Sequence, residues 1–161
     1  MHIEYLDPYT LSWPEGVFPL GGDALALGEF ATVRRGWRVC DLGTGSGALL
    51  LLLARRAPDL ALSAVERDPL AAQTARDNLA QNDLTGTVVA GDLRDRLLPA
   101  GQFDLVVSNP PYFPVNAGGS GGPERSERPG PQRGILHPGT AVRRRRIPGE
   151  KRGPFRPVSP A

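Results

Sequence analysis

The chain has 161 residues, one cysteine, two histidines and a net charge of +2, and its length suffices for one domain with a core. A single cysteine cannot form an internal disulfide, and two histidines form no metal-ligating cluster, so a cytoplasmic protein without a metal is predicted. The longest apolar run, Ala48 to Ala54, is far shorter than a membrane span, and the acidic start does not resemble a signal peptide.

The modest net charge conceals two unlike parts. Residues 1–112 carry 9 arginines and 14 acidic residues, whereas residues 113–161 carry 10 basic and 3 acidic residues. Glycine and proline supply 18 of those last 49 residues, a composition that cannot bury an apolar face. We therefore predict a folded domain over 1–115, which includes an N-terminal arm over 1–22, and a disordered tail over 116–161.

The first elements are an arm and a helix. Residues 1–20 include Trp13, Pro14, Phe18 and Pro19, and they predict an irregular arm or a short hairpin. Asp23 is a residue type that caps helices, so a helix from about Ala24 to Val33 is expected to follow it.

Strands and helices then alternate along the chain. Alternation of this kind predicts an α/β fold with a parallel sheet and right-handed crossovers. Asp68, followed by proline, predicts the start of the second of the two later helices, and its inner face is expected to carry Leu70, Thr74, Ala75, Asn78 and Leu79. The predicted segments are the strand Arg38–Leu42, the helix Ala48–Arg56, the strand Ala61–Glu66, the helix Leu70–Gln81, and the strands Thr87–Ala90 and Phe103–Ser108.

Candidate binding residues follow the first three of these strands. The turn Gly43-Thr44-Gly45-Ser46-Gly47 joins a strand to a helix, and its three glycines allow a ligand to approach the backbone closely. Glu66 ends the next strand, 19 residues past Gly47, where an acid can bind both hydroxyls of a ribose. Asp92 follows the third strand, where an adenine amino group would lie if Glu66 held the ribose. Asp95 is a close competitor of Asp92 for this role.

The fourth strand is followed by Asn109-Pro110-Pro111-Tyr112. Proline has no N–H, so this corner offers mainly hydrogen-bond acceptors. The Asn109 side-chain oxygen and the Pro110 carbonyl can each accept one hydrogen of an exocyclic amine, while Tyr112 stacks on the attached ring. The motif therefore predicts a site that holds a planar amine during transfer of a group to its nitrogen.

Taken together, Asp41-Leu42-Gly43-Thr44-Gly45-Ser46-Gly47, Glu66, Asp92 and the Asn-Pro-Pro-Tyr corner resemble the ordered motifs of class I S-adenosylmethionine-dependent methyltransferases. The resemblance implies a Rossmann-like parallel sheet in which the four predicted strands take the order 3-2-1-4. It also implies S-adenosylmethionine as cofactor, bound by Asp41, Gly43, Gly45, Gly47, Glu66 and Asp92, with Asp41 orienting the methionine end. The glycine turn also satisfies a loose dinucleotide fingerprint, which leaves a nicotinamide cofactor as the rival.

The segment from Phe18 to Phe30 resembles the lead-in of the bacterial adenine-N6 methyltransferases that act on the valine tRNA anticodon loop. Gly-Gly-Asp stands at 21–23, where that family usually has Gly-Thr-Asp. The resemblance implies a tRNA partner and methyl transfer to adenine N6 by a monomer. It leaves open a glutamine-N5 methyltransferase acting on release factors, or an inactive fragment. That family's fifth to seventh strands have no counterpart after Tyr112, so a truncated or frameshifted product is expected.

Overall fold

A computed structural model describes residues 1–95, 97–110 and 143–144 of the chain. Because Tyr112 lies outside these ranges, its predicted role is not addressed by the structure. In chain order the elements are β1 His2–Leu6, β2 Tyr9–Trp13, α1 Gly22–Phe30, β3 Arg38–Leu42, α2 Ala48–Ala54, β4 Ala61–Glu66, α3 Pro69–Gln81, β5 Gly86–Ala90, a 3₁₀ turn Leu93–Asp95, β6 Leu105–Val107 and β7 Arg143–Arg144.

The predicted sheet is confirmed. Strand β3 pairs in parallel with β4 on one side and β6 on the other, and β5 pairs in parallel with β4. The order β5-β4-β3-β6 is the predicted 3-2-1-4. All four carboxyl ends therefore lie at one edge, and β3 and β6 meet where the strand order reverses, the usual ligand-binding position in such sheets.

The first two strands form the hairpin that was one of the two expectations for the N-terminal arm. Strands β1 and β2 pair antiparallel from His2↔Trp13 to Leu6↔Tyr9. Leu6 and Leu11 are buried and join the core of the α/β layer. The hairpin is therefore packed on the domain through these two leucines.

Helix α2 is the most buried helix of the described structure. Each of its seven residues, Ala48 to Ala54, is buried, because Leu49 to Leu53 are apolar on every face of the helix. The helix follows the glycine turn directly and contacts α1 and the hairpin strand β2. Within the described part of the chain, no helix has the length and apolar character needed to cross a membrane.

The two predicted helix caps have opposite outcomes. Asp68 caps α3 as predicted, and its side chain accepts from the backbone N–H groups of Leu70 and Ala71. The prediction for Asp23 is wrong, because α1 begins at Gly22, two residues before the predicted start at Ala24, and its N-cap is Gly21. Asp23 therefore lies in the first helical turn, where a carboxylate interacts favourably with the helix dipole.

The predicted inner face of α3 needs one correction. Thr74, Ala75, Asn78 and Leu79 are buried as expected, but Leu70 is 50% exposed. The first turn instead buries its small residues Ala71 and Ala72. Leu70 lies at the capped start of the helix beside Gly16, outside the layer between helix and sheet.

The far edge of β6 is paired with a short segment of the predicted tail. Arg143 lies opposite Val106 and Arg144 opposite Leu105 in an antiparallel register. These two residues are exceptions to the disorder predicted for the tail; its other residues lie outside the described ranges. Their backbone continues the sheet beyond β6, which protects that edge of an apolar strand.

Close packing of α1 on α2 gives a stability prediction. A Cβ atom at Gly28 would lie 2.7 Å from Leu52 Cβ, whereas one at Gly22 would have no atom within 4 Å. We expect Gly28→Ala to lower the free energy of unfolding by about 1–3 kcal/mol, because overpacking outweighs the better helix propensity of alanine. Urea unfolding measures the change, with Gly22→Ala as the matched control that leaves stability equal or higher. Equal stability of both variants would contradict the described helix packing.

Candidate functional site

A cleft of about 740 Å³ opens at the carboxyl edge of the sheet. The strand tips, the glycine turn and the segment before α1 all border this cleft. Most of the site residues predicted from the sequence therefore line it. Gly47 is not among the lining residues. The predicted residues that line it are Asp41, Gly43, Gly45, Glu66, Asp92, Asn109 and Pro110.

Asp41 is the most buried acid of the cleft. The residue is 2% exposed, and Thr44 Oγ1 donates to Asp41 Oδ2 at 2.7 Å. Asp41 Oδ1 has no hydrogen-bond partner among the described residues. Burial, offset in part by the Thr44 hydrogen bond and reinforced by the charge of Glu66, raises the pKa of Asp41 to about 7. Ionisation of this buried carboxyl is therefore costly, and a nearby cation would offset the cost.

The glycine turn is held by the neighbouring strand. Gly43 N–H donates to Val65 O at 2.8 Å and Gly47 N–H donates to Thr44 O at 2.9 Å. Gly47 has φ of +83° and would place a Cβ 3.2 Å from Ala75 Cα. Its glycine is thus required by the left-handed backbone and by the contact between α2 and α3, a role different from the ligand contact predicted for it.

Glu66 reaches across the cleft floor from the tip of β4. Its Oε2 accepts from Gly45 N–H at 2.8 Å and its Oε1 accepts from Asp68 N–H at 2.9 Å. These two bonds fix both carboxylate oxygens relative to the glycine turn. Each oxygen retains a lone pair for a further donor, as a pair of vicinal hydroxyls would supply.

Asp92 follows β5 and is held by Arg94. The Arg94 guanidinium donates to both oxygens of Asp92, through Nε at 2.9 Å and through Nη2 at 2.7 Å. This fork-like pairing holds the pKa of the Asp92 carboxyl well below its usual range. Of the two acids considered in the sequence, Asp92 lines the cleft and Asp95 is not among the lining residues.

Asn109 and Pro110 close the cleft on the side of β6. Ser108 Oγ donates to Leu42 O at 2.7 Å and so ties the end of β6 to the end of β3. Asn109 is the next residue along the chain. This hydrogen bond places the predicted acceptor corner beside Asp41 and the glycine turn, at the junction of the two central strands.

Sequence reasoning missed several residues of this site. Thr44 donates to Asp41 and Arg94 donates to Asp92, and neither Thr44 nor Arg94 has a spacing pattern that marks it. The segment 16–21 forms a further wall, in which Phe18 is 74% exposed. Asp23, predicted only as a helix cap, also lines the cleft. Within the described residues, no group of His, Cys, Asp and Glu is arranged to hold a metal ion.

Comparison with known proteins agrees with this geometry. The model of the methyltransferase small domain family matches residues 21–118. The tRNA1(Val) (adenine(37)-N6)-methyltransferase of Aeromonas hydrophila is 42% identical over 95 residues, which make up 58% of this chain and 40% of the relative. The protein of the same name from Bacteroides thetaiotaomicron is 40% identical over 108 residues, 65% of this chain and 45% of the relative. The chain thus spans less than half the length of these relatives.

A solved structure gives the same fold. The T. thermophilus 16S rRNA N2 G1207 methyltransferase, in complex with AdoMet and guanosine, has a TM-score of 0.57 and 30% identity. The match covers 68% of this chain and 31% of that chain. Together with the family model, it confirms the resemblance and the α/β methyltransferase sheet predicted from the sequence.

The buried acid gives a pH prediction. Because the folded-state pKa of Asp41, about 7, lies above its ordinary value of 3.8, the folded state binds the proton more tightly than the unfolded state. Asp41 therefore lowers stability as pH rises from about 4 to 7, by up to about 1.4 kcal/mol per pH unit, and adds no further loss above 7. We expect Asp41→Asn to remove this component, measured as the difference in unfolding free energy between variant and parent from pH 4.5 to 8. A pH-independent difference would contradict the raised pKa.

Proposed function

This chain belongs to the methyltransferase small domain family, and from that premise we propose that it binds S-adenosylmethionine and methylates an exocyclic amine, the N6 of an adenine in tRNA. The observation that supports the proposal best is the meeting of Glu66, Asp41 and the Asn109-Pro110 corner in one cleft. Different residues of the cleft suit the nucleoside end and the methionine end of this cofactor. Asn109 and Pro110 suit the amine that receives the methyl group.

The nucleoside end of the cofactor suits Glu66. Both carboxylate oxygens are already oriented by backbone N–H groups, and their remaining lone pairs suit the two ribose hydroxyls. Asp92, oriented by Arg94, is an acceptor for the adenine amino group. We therefore assign the nucleoside to the β4 and β5 side of the cleft.

The methionine end suits Asp41. The partnerless Asp41 Oδ1 is buried, and a positively charged ammonium group would offset the cost of its ionisation. Gly43 and Gly45 border the same place and leave room for the cofactor against the backbone. Gly47 supports the site indirectly, through the packing of α2 on α3.

Charge separates this cofactor from the nicotinamide rival. Asp23, Asp41, Glu66, Asp68 and Asp92 all line the cleft, and a dinucleotide would bring two phosphate charges among them. The Gly45 N–H, which a pyrophosphate would need, already donates to Glu66. S-adenosylmethionine has no phosphate and carries positive charge, so carboxylates favour it.

When bound, S-adenosylmethionine supplies a methyl group made electrophilic by its sulfonium. The protein's part is to present the acceptor nitrogen. The Asn109 carboxamide oxygen and the Pro110 carbonyl accept the two N–H hydrogens, which localises the nitrogen lone pair away from the ring and holds it in place. The proton leaves after transfer, so no general base is assigned. We assign Tyr112 to stack on the adenine, worth about 1–3 kcal/mol.

The acceptor we propose is an adenine of a tRNA loop, where a base is partly unstacked and costs little to extrude. The relatives named tRNA1(Val) (adenine(37)-N6)-methyltransferases support adenine over the glutamine side chain of a release factor. A cytoplasmic monomer fits this role.

The two candidate substrates are separated by comparing methyl transfer to bulk tRNA with methyl transfer to purified release factor. Labelling of release factor alone would overturn the adenine assignment.

Cofactor binding gives a direct prediction. We expect S-adenosylhomocysteine to bind the chain, and Glu66→Gln to weaken binding by about 10–100-fold, because charge-assisted hydrogen bonds contribute about 1.5–3 kcal/mol. Isothermal calorimetry measures both. Glu29→Gln is the matched control, since Glu29 pairs with Arg55 on the exposed side of α1. Absence of binding to the parent chain would favour the inactive fragment.

The acceptor corner gives a prediction that separates catalysis from cofactor binding. We expect Asn109→Ala to reduce the rate of tRNA methylation by about 100-fold or more, with S-adenosylhomocysteine affinity changed less than about threefold. Single-turnover labelling of tRNA and calorimetry on the same preparations make the comparison. An equal loss of cofactor affinity would remove Asn109 from the acceptor role.

A further inference from the structure

One buried side chain joins two walls of the cleft. The Asn78 side chain in α3 is 1% exposed. Its Nδ2 donates to Ser12 O of the hairpin at 2.7 Å and to Ser46 O of the glycine turn at 2.8 Å. The two hydrogens of one carboxamide are therefore divided between the hairpin and the turn.

The other half of the same carboxamide is equally engaged. Asn78 Oδ1 accepts from Ser12 N–H at 2.9 Å, from Ser12 Oγ at 3.1 Å and from Gln81 Nε2 at 2.7 Å. A flipped amide would place Oδ1 against two carbonyl oxygens and Nδ2 against an N–H group. The network thus allows one orientation of Asn78, in which Ser12 and Ser46 have a fixed separation.

Asn82, one helical turn later, makes part of the same arrangement. Its Oδ1 accepts from Thr10 N–H at 2.8 Å and its Nδ2 donates to Thr10 O at 2.8 Å. Among the bonds described, Asn82 makes none to the glycine turn. It therefore docks the hairpin on α3 without contact with Ser46, which makes it a natural control for Asn78.

Both structures that Asn78 joins lead into the cleft. Strand β2 ends at Trp13, directly before the 14–21 segment, of which residues 16–21 line the cleft, and Ser46 lines it on the side of the glycine turn. We propose that Asn78 is a positioning residue, which sets the separation between these two walls and thereby the affinity for the cofactor. This inference rests on the proposed function, because the affinity concerned is that for S-adenosylmethionine.

The test compares two asparagines of one helix. We expect Asn78→Ala and Asn82→Ala both to lower the thermal midpoint, since each loses hydrogen bonds to the hairpin. Below both midpoints, we expect Asn78→Ala to weaken S-adenosylhomocysteine binding at least tenfold and Asn82→Ala less than threefold, by calorimetry. Equal affinities of the two folded variants would overturn the proposal.

A second readout keeps the inference separate from the proposed function. Hydrogen exchange measures how well the Gly47 and Leu51 amides are protected. These amides donate to Thr44 O and Gly47 O, respectively. We expect these amides to exchange faster in Asn78→Ala and at the parent rate in Asn82→Ala, whether or not the chain binds the cofactor. If the parent chain binds no S-adenosylhomocysteine, faster exchange in Asn78→Ala than in the parent would support the wall contact while the proposed function fails.

The isosteric variant Asn78→Asp covers the case in which the alanine variant does not fold. It keeps the acceptor for Ser12 and loses both donors, so the same loss of affinity and of turn protection is expected. If both Asn78 variants are unfolded while Asn82→Ala folds, Asn78 maintains the fold itself and the positioning role is overturned.

Discussion

The burial of α2 is the constraint on which the site depends. The chain must pass from β3, inside the sheet, to a helix with seven buried residues, and it has only Gly43 to Gly47 in which to turn. So short a connection keeps the turn against the strand tips, where Val65 O accepts from Gly43. The apolar sequence of α2 thereby fixes where backbone N–H groups border the cleft.

That constraint holds Asp41 and Glu66 close together although their negative charges repel each other. Asp41 lies just before the turn, and Glu66 on the next strand faces the same loop, so the charge of Glu66 contributes to the raised pKa of Asp41. Such an arrangement lowers the stability of the protein near neutral pH. The Thr44 hydrogen bond offsets part of this cost, and a partner with positive charge would offset more of it. A local cost of this kind is characteristic of binding sites, where the arrangement of charge serves the ligand and not the fold.

Signals that act over a few residues were readable in the sequence. Asp68 followed by Pro69 predicted the start of α3, and the strands around Asp41, Glu66 and Asp92 were found because apolar runs end there in acids. Asp23 is not the cap because Gly21 has the extended N-cap backbone and Asp23 already lies inside the first helical turn. Leu70 failed because periodicity alone does not tell how far the first turn of a helix extends beyond its neighbours.

The contacts of Asn78 had no local signal at all, since Ser12 is 66 residues away in the chain. The sequence placed Asn78 on the inner face of α3 but gave no partner for it there. A two-stranded hairpin is marginal by itself, and the outer edge of β2 needs partners for its backbone groups. Asn78 and Asn82 supply them from a helix, with side-chain amides where a third strand would offer peptide groups. The position of the cleft wall that follows β2 consequently depends on these two side-chain amides. A change at Asn78 therefore reaches the site although Asn78 itself does not line the cleft.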